Sequence, residues 1–412
     1  MKNNSKKNLV CFDTAYSLAQ YEAGGLEIFT EGKLLNGYFN TIFVINIASN
    51  IKSPNVIGKS KLIKLSDHIE YLDVPLGRFR FLAAFKKINF IFTILSTLIA
   101  VIRICKKNNI SFIRGEDAEI NGFLAMLISK IMNIPLFIGV WGNPAEIRND
   151  TGKPMWPYLL KFIAVEVFLE KLVLKFADRV MVQNENNKNF VVSILRTDEK
   201  IRFFKVSNQI DDLHYQDPKL RDKSPDFFKE FKLVGQKKII IISRLEEEKR
   251  VFDAIKVISY LVNKKSMQVD FFICGVGPEE SFFKKYASQE GIIDNIHFCG
   301  MRNQLWLSTA IPLMDLCISP LTGRALVEVA LGGIPVVGYD RDWQAEIIEH
   351  NLCGYICEFG DIEALSNFSN LVLQNHKRAR EMGSELRKKA LKAFNKDDAL
   401  KMEQSCYDEL LK

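Results

Sequence analysis

Residues 322–338 read TGRALVEVALGGIPVVG, and a single carboxylate, Glu328, sits among Leu326, Val327, Val329 and Ala330. The pattern is a buried helix that starts near Gly323, and a buried carboxylate needs strong partners. Two readings stand. Either the positive helix end favours an acid in its first turns, or ligand hydroxyls such as a ribose diol satisfy it. The free N–H groups at the helix start form an anion site in both cases. Upstream, IIIISRLEEEKR ends a strand-like run on Arg244 and places Lys249 just before a helix. Two cations at the carboxyl edge of a sheet can hold a diphosphate. The alternative is a pair of surface cations among Glu246, Glu247 and Glu248.

Two further stretches end strands in turn or polar groups. VDFFICGVGPEE sets Gly275 and Gly277 at a strand-to-helix turn, with Glu280 where a dinucleotide fingerprint needs its third glycine. A tight turn that lets a ligand near the backbone explains these glycines without NAD. VWGNPAEIRND offers Trp141, Asn143 and Glu146, a set suited to a sugar acceptor or to a packed loop.

These residues hang on a regular alternation of short β-branched runs and longer helical patterns. Strands are expected at 8–13, 41–47, 110–114, 135–140, 178–182 and 201–206, then at 237–243, 268–274, 294–298, 315–319 and 334–338. The helical patterns between them include 79–107, 121–132, 155–176, 251–264, 279–290 and 323–332. Alternation of this kind builds parallel sheets covered by helices. The strands are too many for one ordinary open sheet, so two Rossmann-like domains are expected. A polar, proline-containing stretch over 209–235 marks the boundary. The domains are therefore 1–208 and 209–394, with a helix at 395–412 packing back on the first.

With 412 residues, 48% of them hydrophobic, the chain can bury a substantial core. Its eight cysteines are scattered without zinc spacing and read as buried thiols in a reducing cytoplasm. The five histidines form no metal constellation. The start has no signal-peptide pattern. The longest apolar stretch, 88–102, is shorter than the roughly 20 residues that span a bilayer. Charge is uneven: residues 1–110 carry 15 Lys+Arg against 7 Asp+Glu, a balance of +8 within a total of +7. Within that segment Arg78, Arg80, Lys86 and Lys87 alternate with Phe79, Phe81, Phe85 and Phe90. Such an edge suits either a solvated face or contact with an anionic membrane. The apolar helix that follows is expected to pack one face on the sheet.

The succession SRL-x3-KR, CGVGPEE and SPLTGRALVEVALGGIPVVGYD resembles the retaining nucleotide-sugar glycosyltransferases of family 4. Their α/β architecture is GT-B, two Rossmann-like domains facing across a cleft. AGGLEIF, EKLVLKFADRVMVQNENNKNFV and KIRFFKVSNQID resemble first-domain passages of the same family. The resemblance implies that Arg244 and Lys249 hold the donor diphosphate and that Glu328 accepts the ribose hydroxyls. The backbone from Arg324 through Ala325 and Leu326 to Val327 would approach the phosphates and sugar. Gly24 and Gly25 match the glycine loop on the opposite side of the diphosphate. GRALVE marks a subgroup without the full E-x7-E motif, because Pro320 stands where the first glutamate belongs. Arg324 and Glu346 are then the candidate sugar contacts. Where relatives carry a histidine, FIRGEDAEING has Glu116 and Asp117, either as proton-handling groups or as capping carboxylates.

The resemblance implies a metal-independent hexosyltransferase that acts with retention in polysaccharide or lipid-linked glycan biosynthesis. Its co-substrate is a nucleoside-diphosphate sugar, and no cofactor, metal or nucleic acid is expected. A glycan or lipid-linked glycan is the expected acceptor. The expected location is cytoplasmic, with peripheral contact on the inner face of the cell membrane. Three alternatives remain: a GT-B sugar-nucleotide epimerase, an NAD-dependent oxidoreductase and a noncatalytic sugar-nucleotide-binding protein.

Overall fold

Strands buried on both faces read as unbroken apolar runs, and Ile239–Ile241 and Phe271–Ile273 are such runs. The computed structural model describes residues 7–18, 21, 30–47, 49, 57–157, 159–205, 209–218 and 227–411. The chain divides into residues 1–209 with 396–412, and residues 210–395, one residue from the division expected above.

The first unit holds an eight-stranded sheet in the order β3-β4-β2-β1-β5-β6-β7-β8. Its strands are β1 Asn8–Phe12, β2 Thr41–Asn46, β3 Lys61–Ser66, β4 Ile69–Asp73, β5 Ile110–Gly115, β6 Leu136–Val140, β7 Arg179–Val182 and β8 Ile201–Phe203. All neighbours are parallel except β3 and β4. The helices α1 Lys86–Asn108, α2 Ile120–Met132, α3 Pro144–Thr151 and α4 Ile163–Phe176 lie in its crossovers. The passages from β4 to β5, β5 to β6 and β6 to β7 step the same way along the sheet. Right-handed crossovers therefore put α1, α2 and α4 on one face. Val101, Leu124 and Val173 from these helices share a core with Val10, Phe12 and Ile138. Leu9, Cys11, Phe112 and Phe137 point to the other face, where the helix Lys396–Asp408 covers them. Its Tyr407 ring lies 4.4 Å from Phe137 and 5.0 Å from Phe112.

The second unit is a parallel sheet in the order β11-β10-β9-β12-β13-β14. Its strands are β9 Lys237–Ile242, β10 Val269–Cys274, β11 Ile296–Gly300, β12 Leu316–Ser319, β13 Val336–Tyr339 and β14 Gly354–Cys357. The helix α5, Ala325–Gly332, connects β12 to β13.

Each strand expected from sequence is present. The sequence reading missed β3, β4 and β14. Half of β3 is exposed and none of it is buried, and its KLIKLS pattern mixes lysines into an edge strand. The helix expected at 155–176 begins only at Ile163, after a segment with Pro154 and Pro157 whose Met155 and Trp156 N–H groups donate to the Glu166 carboxylate. All eight cysteines are free and buried.

The apolar helix packs one face on the sheet as expected, through Val101 and Cys105, but its first half buries a polar stripe. The residues α1 buries are Asn89, Thr93, Thr97, Val101 and Cys105. Ile88, Ile91, Phe92, Leu95 and Ile99, on the opposite stripe, are exposed. The inner polar row has local work. Asn89 Oδ1 accepts from Phe79 N–H at 2.9 Å, its Nδ2 donates to the Phe79 carbonyl at 2.7 Å, and Thr93 Oγ1 accepts from Arg78 N–H at 2.9 Å. With 23 residues, α1 is also long and apolar enough to cross a membrane by length and composition, which corrects the shorter stretch read from sequence.

Candidate active site

The second unit gathers its candidate residues at the carboxyl ends of β9, β10 and β12, where α/β sheets bind ligands. Lys249 closes a short 3-10 turn, Glu247–Lys249, after β9. Burial lowers its pKa and the nearby Arg244 charge lowers it further. It forms no ion pair with a described residue, so an anion placed there would favour its charged form. Arg244 is more than half exposed and pairs with Glu246 at 2.5 Å and Glu248 at 2.8 Å.

Gly275 and Gly277 have a different task from the one expected. The backbone that comes close to them is the chain's own. A Cβ on Gly275 would lie 1.9 Å from the Ser243 carbonyl oxygen, and one on Gly277 would lie 2.2 Å from that of Leu245. Gly275 also has φ +150°. The loop after β10 thereby continues to pair with the loop after β9, Leu245 N–H donating to the Val276 carbonyl at 3.1 Å. The glycines position Arg244 and Lys249.

At α5, Gly323 takes φ +62° and the chain turns into the helix with no side-chain cap. Leu326 and Val327 are buried, and their N–H groups donate back to the Gly323 and Arg324 carbonyls at 3.0 and 2.9 Å. They therefore do not offer the ligand contacts expected of them. Ala325 N–H, one residue earlier, makes no such bond with a described residue. Glu328 is 4% exposed, and no described residue donates to its carboxylate. Arg324 is half-buried at the helix start, and Glu346 is exposed beyond β13. Gln344, which the sequence reading missed, fixes the loop before α5. Its buried amide donates to the Pro320 and Tyr339 carbonyls, each at 3.0 Å, and its Oε1 accepts from Ser319 Oγ at 2.5 Å.

In the first unit Glu116 and Asp117 end β5. Glu116 is a fully paired, largely buried anion. It meets Lys33 at 3.0 Å and Arg114 at 3.1 Å, and accepts from Trp141 Nε1 at 2.7 Å. Burial opposes its charge, but Arg114 and Lys33 hold its pKa down to about 2. That corrects the proton-handling reading: a base so acidic and so paired takes no proton near neutrality. Asp117 caps α2, accepting from the N–H groups of Glu119 and Asn121 at 2.9 and 3.0 Å, and burial raises its pKa to about 6. Arg114 reaches on to Glu403 at 2.9 Å and Tyr407 at 3.1 Å, and Lys33 pairs with Asp13. The sequence showed Arg114 beside Glu116, but nothing local linked it to Glu403 or to Lys33.

A cavity of about 150 Å³ opens here, lined among others by Glu116, Asp117, Glu119, Val140, Trp141 and Met155. Trp141 lines it with its ring packed 4.9 Å from Phe204. Asn143 caps α3, accepting from Glu146 N–H at 3.4 Å, while its amide donates to Glu146 Oε1 at 3.3 Å. Asn143 and Glu146 thus serve the loop first. Glu119 is the lining residue that sequence reasoning missed. Burial, then the charges of Asp117 and Glu170, push its carboxyl well above the usual range. Glu166 and Glu170 beside it share Arg148, at 2.9 and 2.6 Å. Gly24 and Gly25 lie outside the described residues.

Comparison with known proteins fits this geometry. Residues 222–389 match the family model "Glycosyl transferases group 1". The N-acetyl-alpha-D-glucosaminyl L-malate synthase of Bacillus anthracis is 25% identical over 187 residues, 45% of this chain and 49% of that protein. The chain thus spans about half the length of this curated relative. Among solved structures, the sucrose-phosphate synthase of Thermosynechococcus elongatus aligns over 98% of this chain and 99% of its own, with TM-score 0.73 and 13% identity. HepE of Anabaena in complex with UDP and glucose aligns over 98% of both chains, with TM-score 0.70 and 14% identity. The fold is therefore that of the GT-B glycosyltransferases: two α/β units of Rossmann-like layout, covered over nearly the whole chain. Within it, the second unit carries the group 1 match.

Proposed function

We propose that this protein is a glycosyltransferase of the retaining family 4 type. It moves a sugar from a nucleoside diphosphate to an acceptor hydroxyl in polysaccharide or lipid-linked glycan biosynthesis. The observation that carries the reading is Glu328, a buried carboxylate without a described partner at the start of α5. A ribose diol supplies two donors to such a group. Lys249 and Arg244 take the diphosphate, and the α5 start adds its dipole. The bond between the anomeric carbon and the diphosphate oxygen breaks, and the acceptor oxygen bonds to the same face. The acceptor proton passes to the leaving phosphate oxygen, so the step needs no protein base where Glu116 is unable to act. Charge growing on the leaving group is met by Lys249 and Arg244. No metal is invoked. The group 1 match, and the UDP-bound state of HepE, support a nucleotide donor.

The cavity beside Trp141 and Glu119 is assigned to the acceptor, a glycan or lipid-linked glycan. The proposed location is cytoplasmic, with the first unit at the inner face of the cell membrane. An epimerase would need an acid and a base flanking the sugar, and the paired Glu116 cannot be that base. Calorimetry with UDP and GDP, followed by transfer from radiolabelled nucleotide sugars, tests the reading. Binding of neither nucleotide would overturn it.

A further inference from the structure

The outward sides of α1 and α4 in the first unit are rich in exposed apolar side chains and, among the described residues, carry no exposed acid. On α1 the exposed stripe Ile88, Ile91, Phe92, Leu95 and Ile99 faces away from the buried stripe Asn89, Thr93 and Thr97. A soluble crossover helix carries the reverse arrangement. On α4 the outward residues include Phe168, 62% exposed, and Val165, with Phe162 at 68% just before the helix. Both helices pack on α2, and the Lys130 ammonium of α2 lies 5.2 Å over the Phe176 ring of α4. Exposed apolar side chains on neighbouring helices of one layer mark an interaction surface rather than scattered surface residues.

The charges around this surface say what covers it. Residues 77–108 contain no Asp or Glu, while Arg78, Arg80, Lys86 and Lys87 precede the stripe and Arg103, Lys106 and Lys107 end it. The only acids of α4, Glu166 and Glu170, are turned inward and held by Arg148. Lys161, Lys171 and Lys175 stay outside. An apolar centre flanked by the basic residues of these two helices complements an anionic lipid surface. A second copy of the chain would bring like charges together.

We propose that the outward faces of α1 and α4 seat the first unit on an anionic bilayer, with α1 lying flat in the interface. The helix does not span, because its inner polar row is bonded to residues 78 and 79 and its Val101 and Cys105 belong to the sheet core. This deepens the membrane element of the proposed function by naming the surface. It also changes the expected chemistry, since attachment rests on apolar insertion as well as on charge.

Vesicle co-sedimentation of the full chain tests it, and needs no sugar transfer, so it fails separately from nucleotide binding. The probe is phosphatidylcholine vesicles with about a third phosphatidylglycerol. Wild type should bind, and high salt should weaken but not abolish binding. Ile91→Gln, Phe92→Gln and Leu95→Gln together should lower partitioning roughly tenfold or more, with unchanged circular dichroism. Arg78→Gln, Lys86→Gln and Lys87→Gln should lower partitioning and flatten its salt dependence. Lys61→Gln with Lys64→Gln, on the exposed edge β3, should change little. Absence of wild-type binding would overturn the proposal. So would equal binding by the apolar variant, an equal loss in the β3 control, or a solution dimer that the apolar variant dissolves.

Discussion

Replacing Glu328 should move stability and affinity in opposite directions. The residue is 4% exposed and no described residue donates to its carboxylate, whose oxygens keep only a narrow contact with solvent. A carboxylate so poorly solvated and without a protein donor costs up to about 1–3 kcal/mol. Glu328→Leu fills similar volume without it and should raise the unfolding temperature of the unliganded protein. For a unit of the size of residues 210–395 the shift is about 2–4 °C per kcal/mol. The same change removes the acceptor for two ribose hydroxyls. Nucleotide affinity should fall by roughly 1.5–3 kcal/mol, tenfold or more. Scanning fluorimetry without ligand and calorimetry with UDP and GDP read the two effects separately. Saturating nucleotide should then stabilise wild type more than the variant, reversing their order. Glu328→Leu that lowers the unliganded melting temperature, or binds nucleotide as wild type does, would refute the reasoning. The first result would mean that the carboxylate has partners in the protein, and the second that it has no role with the ribose.

Lys249→Ala should reduce affinity for nucleoside diphosphate more than for monophosphate, and should lower turnover more than donor binding; equal losses for both nucleotides would remove it from the diphosphate site. Glu116→Gln should destabilise the protein at pH 7 by about 3–5 kcal/mol, because Lys33 and Arg114 lose their buried anion. Because Glu116 titrates near 2 when folded and in the ordinary range near 4.5 when unfolded, its stabilisation is present above about 4.5 and lost as pH falls towards 2. Acid unfolding curves for wild type and variant should therefore converge across that window, and parallel curves would contradict the pairing. Gly277→Ala should cost about 1–3 kcal/mol by forcing apart the loops after β9 and β10, with nucleotide affinity falling as Lys249 and Arg244 shift. An alanine tolerated without loss would show that the close approach at Leu245 relaxes.

Much of the architecture is written locally. The runs IIII and DFFIC read as buried strands, because shortness, β-branched or aromatic content and flanking turn residues are properties of adjacent residues. Glu328 stood out for the same reason: a carboxylate inside an apolar helix contrasts with its own neighbours, whatever packs around it. The motifs near Arg244, Lys249 and Gly323 lie within short segments that the fold brings to one sheet edge without rearranging them.

Other residues were given meaning only by contacts distant in sequence. Glu116 looked available because its partners Lys33, Trp141 and, through Arg114, Glu403 come from three other segments of the chain. Gly275 and Gly277 looked like ligand turns until the Ser243 and Leu245 carbonyls filled the space beside them. The helix Lys86–Asn108 is the sharpest case. Its sequence separates an Asn/Thr stripe from an Ile/Leu/Phe stripe, so its two faces are fixed by residue order alone. Which stripe turns inward is not a local property. It follows from α2 packing against that side and from Val101 and Cys105 joining the sheet core, which the bonds of Asn89 and Thr93 to residues 78 and 79 reinforce within one segment.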